Sequence, residues 1–366
     1  MPDISTKKVV VALDMRGCPN RCRHCYLGFG TNRPLDDADL RWMASQFRHY
    51  IETSNAPIES LNISSVFREP DFSDEYCHLY ELERELSDEE PERYELLSIW
   101  RLAHDKEYPA WAKSVGPQTC QITFAGMEET TDWFYRRKGA FKDALTATER
   151  LLEVGMKPRW HIVLTRKLLP DIDELLRSID RLKLRERVQE LGGEFQLFMH
   201  TPGSIGEGRK IEYLRPTLEE VASLPEAILE SSRRHFKREA LWQPESELYK
   251  SILESGLTRP TDEKVLDEPS QFWFFVTNNW DVFSNVGTLE PWWKLGNLKI
   301  DSVETIMRRF ERDEILGLQV LLHYPQSKLA EEYGDPQGTK IYSGKSDLLD
   351  LYHAEHCERI WRGGKA

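Results

Sequence analysis

The stretch Asp14–Gly30, DMRGCPNRCRHCYLGFG, decides how the rest of the chain is read. It follows the apolar run Val9–Leu13, which reads as a first strand. Cys18, Cys22 and Cys25 stand with three and then two residues between them, and Gly17, Pro19, Asn20, Gly28 and Gly30 mark a loop rather than a helix. A disulfide would leave one thiol over, so a metal centre is the shared role. Structural zinc wants four ligands, no fourth cysteine lies in the loop, and His24 adjoins Cys25 too closely to chelate the same ion. Thiolates also suit iron–sulfur clusters, and three protein ligands leave one iron of a cubane open to something else. Arg16, Arg21 and Arg23 would offset the negative charge of such a centre.

Working outward, 366 residues at about 150 per domain suggest two to three units. The formal net charge of −13 argues against phosphate-backbone binding and against adsorption to anionic lipid. No run of apolar residues is long enough for a membrane span or a signal-peptide core, so the expected place is the cytoplasm, without nucleic acid or membrane partners. Six cysteines in that compartment are not expected to form a disulfide framework.

Candidate strands are Val9–Asp14, Leu61–Val66, Leu96–Trp100, Gln118–Phe124, Arg159–Leu164 and Phe195–His200. Between them run helical patterns at Asp36–Tyr50, Phe72–Leu86, Asp105–Lys113, Phe141–Val154 and Asp171–Arg187. This alternation points to βαβ units and a parallel sheet, an α/β fold. Read at period two, Ile122 and Phe124 oppose Gln121 and Thr123. Trp160, Ile162 and Leu164 oppose His161, Val163 and Thr165, and Phe195, Leu197 and Met199 oppose Gln196, Phe198 and His200. If helices cover the apolar set, the polar set faces a ligand cavity, because parallel sheets are covered on both sides; the other reading is a sheet with one wet face. A closed barrel interior is usually apolar, so the polar one suggests a wider, partly open barrel.

The loop then acquires a family likeness. Cys-x3-Cys-x2-Cys after a first strand resembles the signature of the radical S-adenosylmethionine superfamily. The resemblance implies a partial (β/α)6 TIM-like barrel over residues 1–215, a helical connection over 216–262 and a smaller α+β C-terminal extension over 263–366. It implies that Cys18, Cys22 and Cys25 hold a 4Fe–4S cluster whose fourth iron binds S-adenosyl-L-methionine. His24 stands where the family often has an aromatic residue.

Further along, Phe67–Arg68–Glu69–Pro70 is similar to the family's Gly-Gly-Glu-Pro, with both glycines replaced, and makes Glu69 the candidate for the methionyl amino group. The segment Gln121–Gly155 resembles a strand and helix of peptide-maturase members. There Thr123 and Arg136 or Arg137 correspond to ligand-carboxylate contacts, while Ala125 replaces an aspartate. His161, with Thr165, and His200 fall on strands that often carry ligand-binding side chains, and HTPGSIGEGR after the last strand is similar to a stretch near the adenine, making Pro202–Gly208 candidate contacts. For each of these the plain alternative is a buried or solvated polar residue.

DVFSNVGTLEPWWKLGNLKIDSVETIMRRF resembles the maturases' C-terminal extension, which carries auxiliary-cluster cysteines. Here no cysteine lies between Cys120 and Cys357, so one cluster is expected. Cys120 and Cys77 read as structural, and Cys357 as either a catalytic hydrogen-atom donor or an inert side chain. The tryptophans at 273, 280, 292 and 293 read as core.

The resemblance implies an oxidoreductase-type radical enzyme that cleaves S-adenosylmethionine reductively and abstracts hydrogen from a small-molecule or peptide substrate. A flavodoxin or ferredoxin-type protein would donate the electron. With 17 residues ahead of Cys18, a leader-peptide domain preceding the barrel is not expected, which weighs towards a small molecule. The competing reading is a non-enzymatic protein with a structural zinc or an iron–sulfur redox sensor in the cysteine loop.

Overall fold

In a computed structural model of the chain, the described residues are 8–14, 18–28, 35–54, 58–65, 69, 71–91, 95–255, 272–284 and 288–363. Among them the strands are β1 (Lys8–Asp14), β2 (Ser60–Ser64), β3 (Thr119–Phe124), β4 (Lys157–Val163), β5 (Leu197–His200), β6 (Gln243–Pro244), β7 (Phe272–Thr277), β8 (Asp281–Ser284), β9 (Lys294–Asn297) and β10 (Ile341–Tyr342). Helices in the N-terminal part are α1 (Asp37–Thr53), α2 (Tyr76–Leu86), α3 (Ile99–His104), α4 (Tyr108–Ser114), α5 (Glu128–Tyr135), α6 (Ala140–Glu153), α7 (Ile172–Arg181), α8 (Leu184–Glu190) and α9 (Gly206–Arg209). They are followed by α10 (Leu218–Val221), α11 (Glu226–Phe236), α12 (Glu245–Ser255), α13 (Val303–Glu311), α14 (Leu316–His323), α15 (Gln326–Tyr333) and α16 (Lys345–Gly363).

Helix starts follow local chemistry. Asp36 caps α1 by accepting Asp39 N–H at 2.8 Å. Leu40, Met43, Ala44 and Phe47 then form the buried stripe, with Phe47 5.8 Å from Phe274 of β7, ring centre to ring centre. Asp132 accepts the Gly139 and Phe141 N–H groups at 2.6 and 2.9 Å and so opens α6.

The strands form a mixed sheet in the order β2-β1-β7-β8-β9, a parallel sheet β3-β4-β5 and a small β10-β6 pair. The alternation at period two holds. Cys120, Ile122, Phe124, Trp160, Ile162, Leu164, Phe195, Leu197 and Met199 all lie in one core with helical residues such as Phe141, Leu151, Leu175 and Val188. Val9, Val11, Leu13, Leu61 and Ile63 lie in the other, with α1 and the C-terminal helices. Trp292 and Trp293 are buried there and Trp273 and Trp280 pack against it, as expected of core aromatics. Cys120 is buried, which pushes its thiol up to about 12, and Cys77 is exposed on α2.

Two expectations are corrected. Leu96–Trp100 is not a strand: Ser98 accepts Arg101 N–H at 3.2 Å and starts α3, and the preceding Glu95 O accepts Gln121 N–H of β3 at 2.8 Å. The helix expected over Asp171–Arg187 breaks at Lys183, which takes φ of 50° and separates α7 from α8. The fold is mixed α/β with parallel pairing, as the alternation of strands and helices implies. Among the described residues β7 from the C-terminal stretch also pairs parallel with β1, from Val9 opposite Phe272 to Asp14 opposite Thr277.

Candidate metal and cofactor site

The cysteine loop is held by backbone hydrogen bonds on two sides. Arg21 and Arg23 donate to Tyr135 O at 3.1 Å and Phe134 O at 2.8 Å, at the C-terminal end of α5. Cys25 donates to Cys22 O at 3.1 Å, and Gly28 to Cys25 O at 3.1 Å. Glu207 of α9 donates to Cys25 O at 2.9 Å from the other side. Gly206 makes this approach possible: its φ is +56°, and a Cβ there would sit 2.4 Å from Tyr26 O and 2.7 Å from Cys25 O.

Within the loop, burial pushes the Cys22 thiol well up, and the charges of Cys18, Cys25 and Glu69 push it further. Among the described residues no three His, Cys, Asp or Glu side chains stand as a preformed site for a single ion. The donor set itself is thiolate chemistry: three half-buried cysteines on one clamped loop, each able to bind a separate iron of a cubane. His24 stacks on Phe134 with ring centres 4.8 Å apart and planes 17° off parallel. Burial, helped by His200, lowers its pKa to about 4, so the ring is neutral; its Nδ1 is buried without a partner.

Glu69 is 4% exposed. Its Oε1 accepts Asn20 Nδ2 at 3.1 Å, and its Oε2 accepts the Ser98 hydroxyl and Trp100 N–H, the latter at 3.3 Å. Burial raises its pKa to about 7 even though Ser98, Trp100 and Arg137 oppose the rise. Asn20 in turn accepts Arg137 Nε at 2.6 Å, and Arg137 pairs with Asp143 at 2.6 Å. A continuous polar chain therefore runs from Glu69 through Asn20 of the cysteine loop and Arg137 to Asp143 of α6. Arg137 is thus joined to the site through Asn20, while Arg136 pairs with Glu207 at 3.2 Å.

On the polar face of the parallel sheet, Thr123 Oγ1 and His161 Nδ1 lie 3.1 Å apart, and Tyr135 Oη donates to Thr123 O at 2.8 Å. His161 stacks against both His200 (4.5 Å) and Phe198 (4.9 Å). Burial, then the neighbouring His200, His24, Arg159 and His235, holds His161 well below the usual histidine range. Its Nε2 is buried without a partner, as are the Thr165 and Thr201 hydroxyls. Orphaned polar atoms on two adjacent strand ends fit a polar ligand. Gln121 accepts Arg159 at 3.1 Å nearer the strand starts.

The stretch after β5 is fixed from below by Arg215, 2% exposed. It donates to Pro202 O at 2.6 Å and Ser204 Oγ at 2.7 Å, and pairs with Asp347 of α16 at 2.9 Å. Within Pro202–Gly208 the close approach made by Gly206 is to the cysteine loop's backbone. Cys357 lies elsewhere. It is 0% exposed, its sulfur is 3.8 Å from the His353 ring, and burial pushes the thiol up to about 12. Asn20, Ser98 and Arg215 belong to the site's framework but were not singled out by sequence; the one available signal was Asn20 inside the cysteine motif.

No family profile matches the chain, and no curated protein matches it. Solved structures do. Native anSMEcpe with bound AdoMet aligns over 97% of this chain and 99% of its own, with a TM-score of 0.52 and 11% identity. The two chains share a fold. The same protein with AdoMet and the Kp18Cys peptide aligns over 97% and 99%, with a TM-score of 0.51 and 12% identity. HemN from Escherichia coli, described as a radical SAM enzyme, aligns over 96% and 90% with a TM-score of 0.36 and 12% identity. No helix among the described residues is long and apolar enough to cross a membrane.

Proposed function

We propose that the chain is a radical S-adenosylmethionine enzyme, an oxidoreductase of the cytoplasm with a partial TIM-like barrel and a single cluster. The observation that carries this is the thiol loop after β1, clamped by α5 and Gly206 and joined to the buried Glu69 through Asn20, within the fold of an AdoMet-bound protein. Cys18, Cys22 and Cys25 would hold the 4Fe–4S cluster. When bound, that group supplies the electron that cleaves S-adenosyl-L-methionine and so produces a 5′-deoxyadenosyl radical able to take hydrogen from substrate.

The chain's own residues then have distinct tasks. Glu69, steadied by Asn20 and Ser98, keeps lone pairs for the cosubstrate's ammonium group. Thr123 donates to His161 Nδ1, which fixes the tautomer that presents Nε2–H to a ligand oxygen. His200 stacks behind His161 and keeps the ring in plane. Arg136 adds positive charge near the bound carboxylate, and Arg137 positions Glu69 through Asn20. Cys357 serves packing in this reading, since no solvent-sized opening reaches it. The substrate is a small molecule or a peptide, and a flavodoxin or ferredoxin-type protein donates the electron.

The test is spectroscopic. Anaerobically reconstituted and reduced protein is expected to change its electron paramagnetic resonance signal when S-adenosylmethionine is added. A zinc-loaded colourless protein, or a cluster indifferent to the cosubstrate, would overturn the proposal.

A further inference from the structure

Arginines around β5 differ in how their charge is met. Arg159 pairs with Glu95, Arg209 with Glu290 and Glu358, Arg215 with Glu212 and Asp347, and Arg233 with Glu226. Arg238, just past α11, pairs with no carboxylate among the described residues; its half-buried guanidinium donates to Ser343 O at 2.8 Å and Leu241 O at 3.0 Å, both neutral acceptors. Its Nε is buried without a partner, as is Trp242 Nε1 four residues on. Arg159 and Arg209 also leave Nε unbonded, but their charge is compensated. The backbone of Arg238 is fixed as well: Lys237 takes φ of 52° to end α11, and Arg238 N–H bonds Arg233 O at 3.2 Å. A guanidinium is all donor and always charged, so a held one with donors to spare and no counter-ion is suited to an anion.

Rings join Arg238 to the polar face of the parallel sheet. Its guanidinium carbon lies 5.0 Å from the centre of the Phe236 ring. Phe236 stands edge-on to His235 at 4.8 Å, Phe198 at 5.6 Å and His200 at 6.1 Å. His200 in turn stacks on His161 at 4.5 Å, the ring whose free Nε2 is given above to the cosubstrate. Phe198 and His235 lie face to face at 3.8 Å, and beside His235 a cavity of about 170 Å³ opens between β5 and α11, lined also by Gln196 and Ser231. A wall of flat rings thus leads away from His161 and ends at an uncompensated cation.

We propose that Arg238 is an anion subsite that holds an oxyanion group of the substrate, a carboxylate or a phosphate, while Phe198, His235 and Phe236 lie against the substrate's body. The proposal rests on the function proposed above and names the substrate's chemistry: a molecule acidic at one end, whose other end reaches the cosubstrate beside His161. Charge-assisted hydrogen bonds supply the grip, and a guanidinium already held by two carbonyls loses little freedom on binding. The ring edges, positive in their quadrupole, favour the same sign of ligand. A cationic group would meet like charge there.

The test reads binding and does not depend on turnover. Radiolabelled inorganic phosphate and acetate are dialysed separately against the protein, with and without its cluster, and with and without saturating S-adenosylmethionine. Saturable binding of at least one anion is expected under all these conditions, and the tighter of the two names the source of the oxyanion. Arg238→Gln is expected to bind about tenfold more weakly, and Arg238→Lys, which keeps the charge but not the fork, by a smaller factor. Arg234→Gln, which removes an exposed cation paired with Glu194, is expected to bind as the unaltered protein does. Melting temperatures show that each variant is folded, and Arg238→Lys carries the comparison if Arg238→Gln is not. No saturable binding of either anion, undiminished binding by the Arg238 variants, an equal loss in Arg234→Gln, or displacement of the anion by S-adenosylmethionine would overturn the proposal. Dithionite-driven 5′-deoxyadenosine formation by the unaltered protein is read separately: its absence counts against the proposed function and leaves the anion site standing.

Discussion

Thr123 Oγ1 and His161 Nδ1 meet at 3.1 Å across adjacent parallel strands, where the ladder sets Thr123 opposite His161. This register is what leaves His161 Nε2 buried, neutral and without a partner at the polar face of the sheet. Replacing Thr123 with Val removes the hydroxyl that fixes the tautomer. It is expected to weaken S-adenosylmethionine binding about tenfold, the worth of about one hydrogen bond. His161→Phe, which keeps the stack but loses both nitrogens, is expected to weaken it at least as much. Equilibrium dialysis with labelled cosubstrate checks both.

Glu69→Ala leaves the Ser98 hydroxyl and the Trp100 and Asn20 N–H groups without their acceptor in a buried place. A stability loss of about 1–3 kcal/mol is expected. Cosubstrate binding is expected to fall with it, whereas Asn20→Ala is expected to cost less stability and still weaken binding. Urea unfolding midpoints and dialysis on the same samples separate the two effects.

Gly206→Ala tests the clamp on the cysteine loop. The left-handed conformation alone costs about 1–2 kcal/mol for a residue with Cβ. The added methyl would also overlap the Cys25 and Tyr26 carbonyls, so lower iron content after reconstitution is expected alongside a lower melting temperature. Gly192→Ala is the control: φ is +74° but nothing lies within 4 Å of the new Cβ, so strain without loss of iron is expected.

Acid stability is expected to depend on Asp347. Burial alone would raise its pKa, but Arg215, the Ser343 N–H and the Ser204 hydroxyl outweigh it and the carboxyl ends below its ordinary value. The unfolded chain therefore binds this proton more readily than the folded one. The stabilisation is complete above the unfolded value of about 3.9 and is lost as pH falls through the lower folded value. Unfolding midpoints followed from neutral pH down to about 3 are expected to fall on the acid side. Asp347→Asn is expected to flatten that limb and to lower stability at neutral pH by about 1–3 kcal/mol, because Arg215 keeps its pair with Glu212 but loses one charged acceptor.

What could be read from sequence follows from which forces are local. The two faces of β3, β4 and β5 were legible because helices cover one of them, and burial there selects an apolar side chain at every second position. The thiol loop was legible because its spacing is contiguous. Ser98 was not, since a short apolar run followed by an N-cap looks like a strand until the cap's bonding is seen. The break at Lys183 depends on one residue taking a left-handed conformation, which a leucine- and arginine-rich helical pattern conceals. The pairing of β1 with β7 joins residues more than 250 positions apart, and no local propensity encodes it. Asn20 read as a turn former, and only the folded chain sets it between Glu69 and Arg137.

The most direct measurement is 5′-deoxyadenosine, quantified by mass spectrometry after anaerobic reconstitution, addition of S-adenosylmethionine and reduction with dithionite. The expected result is product from the unaltered protein and none from Cys22→Ala. No product from protein carrying a full cluster, or equal product from both, would contradict the account.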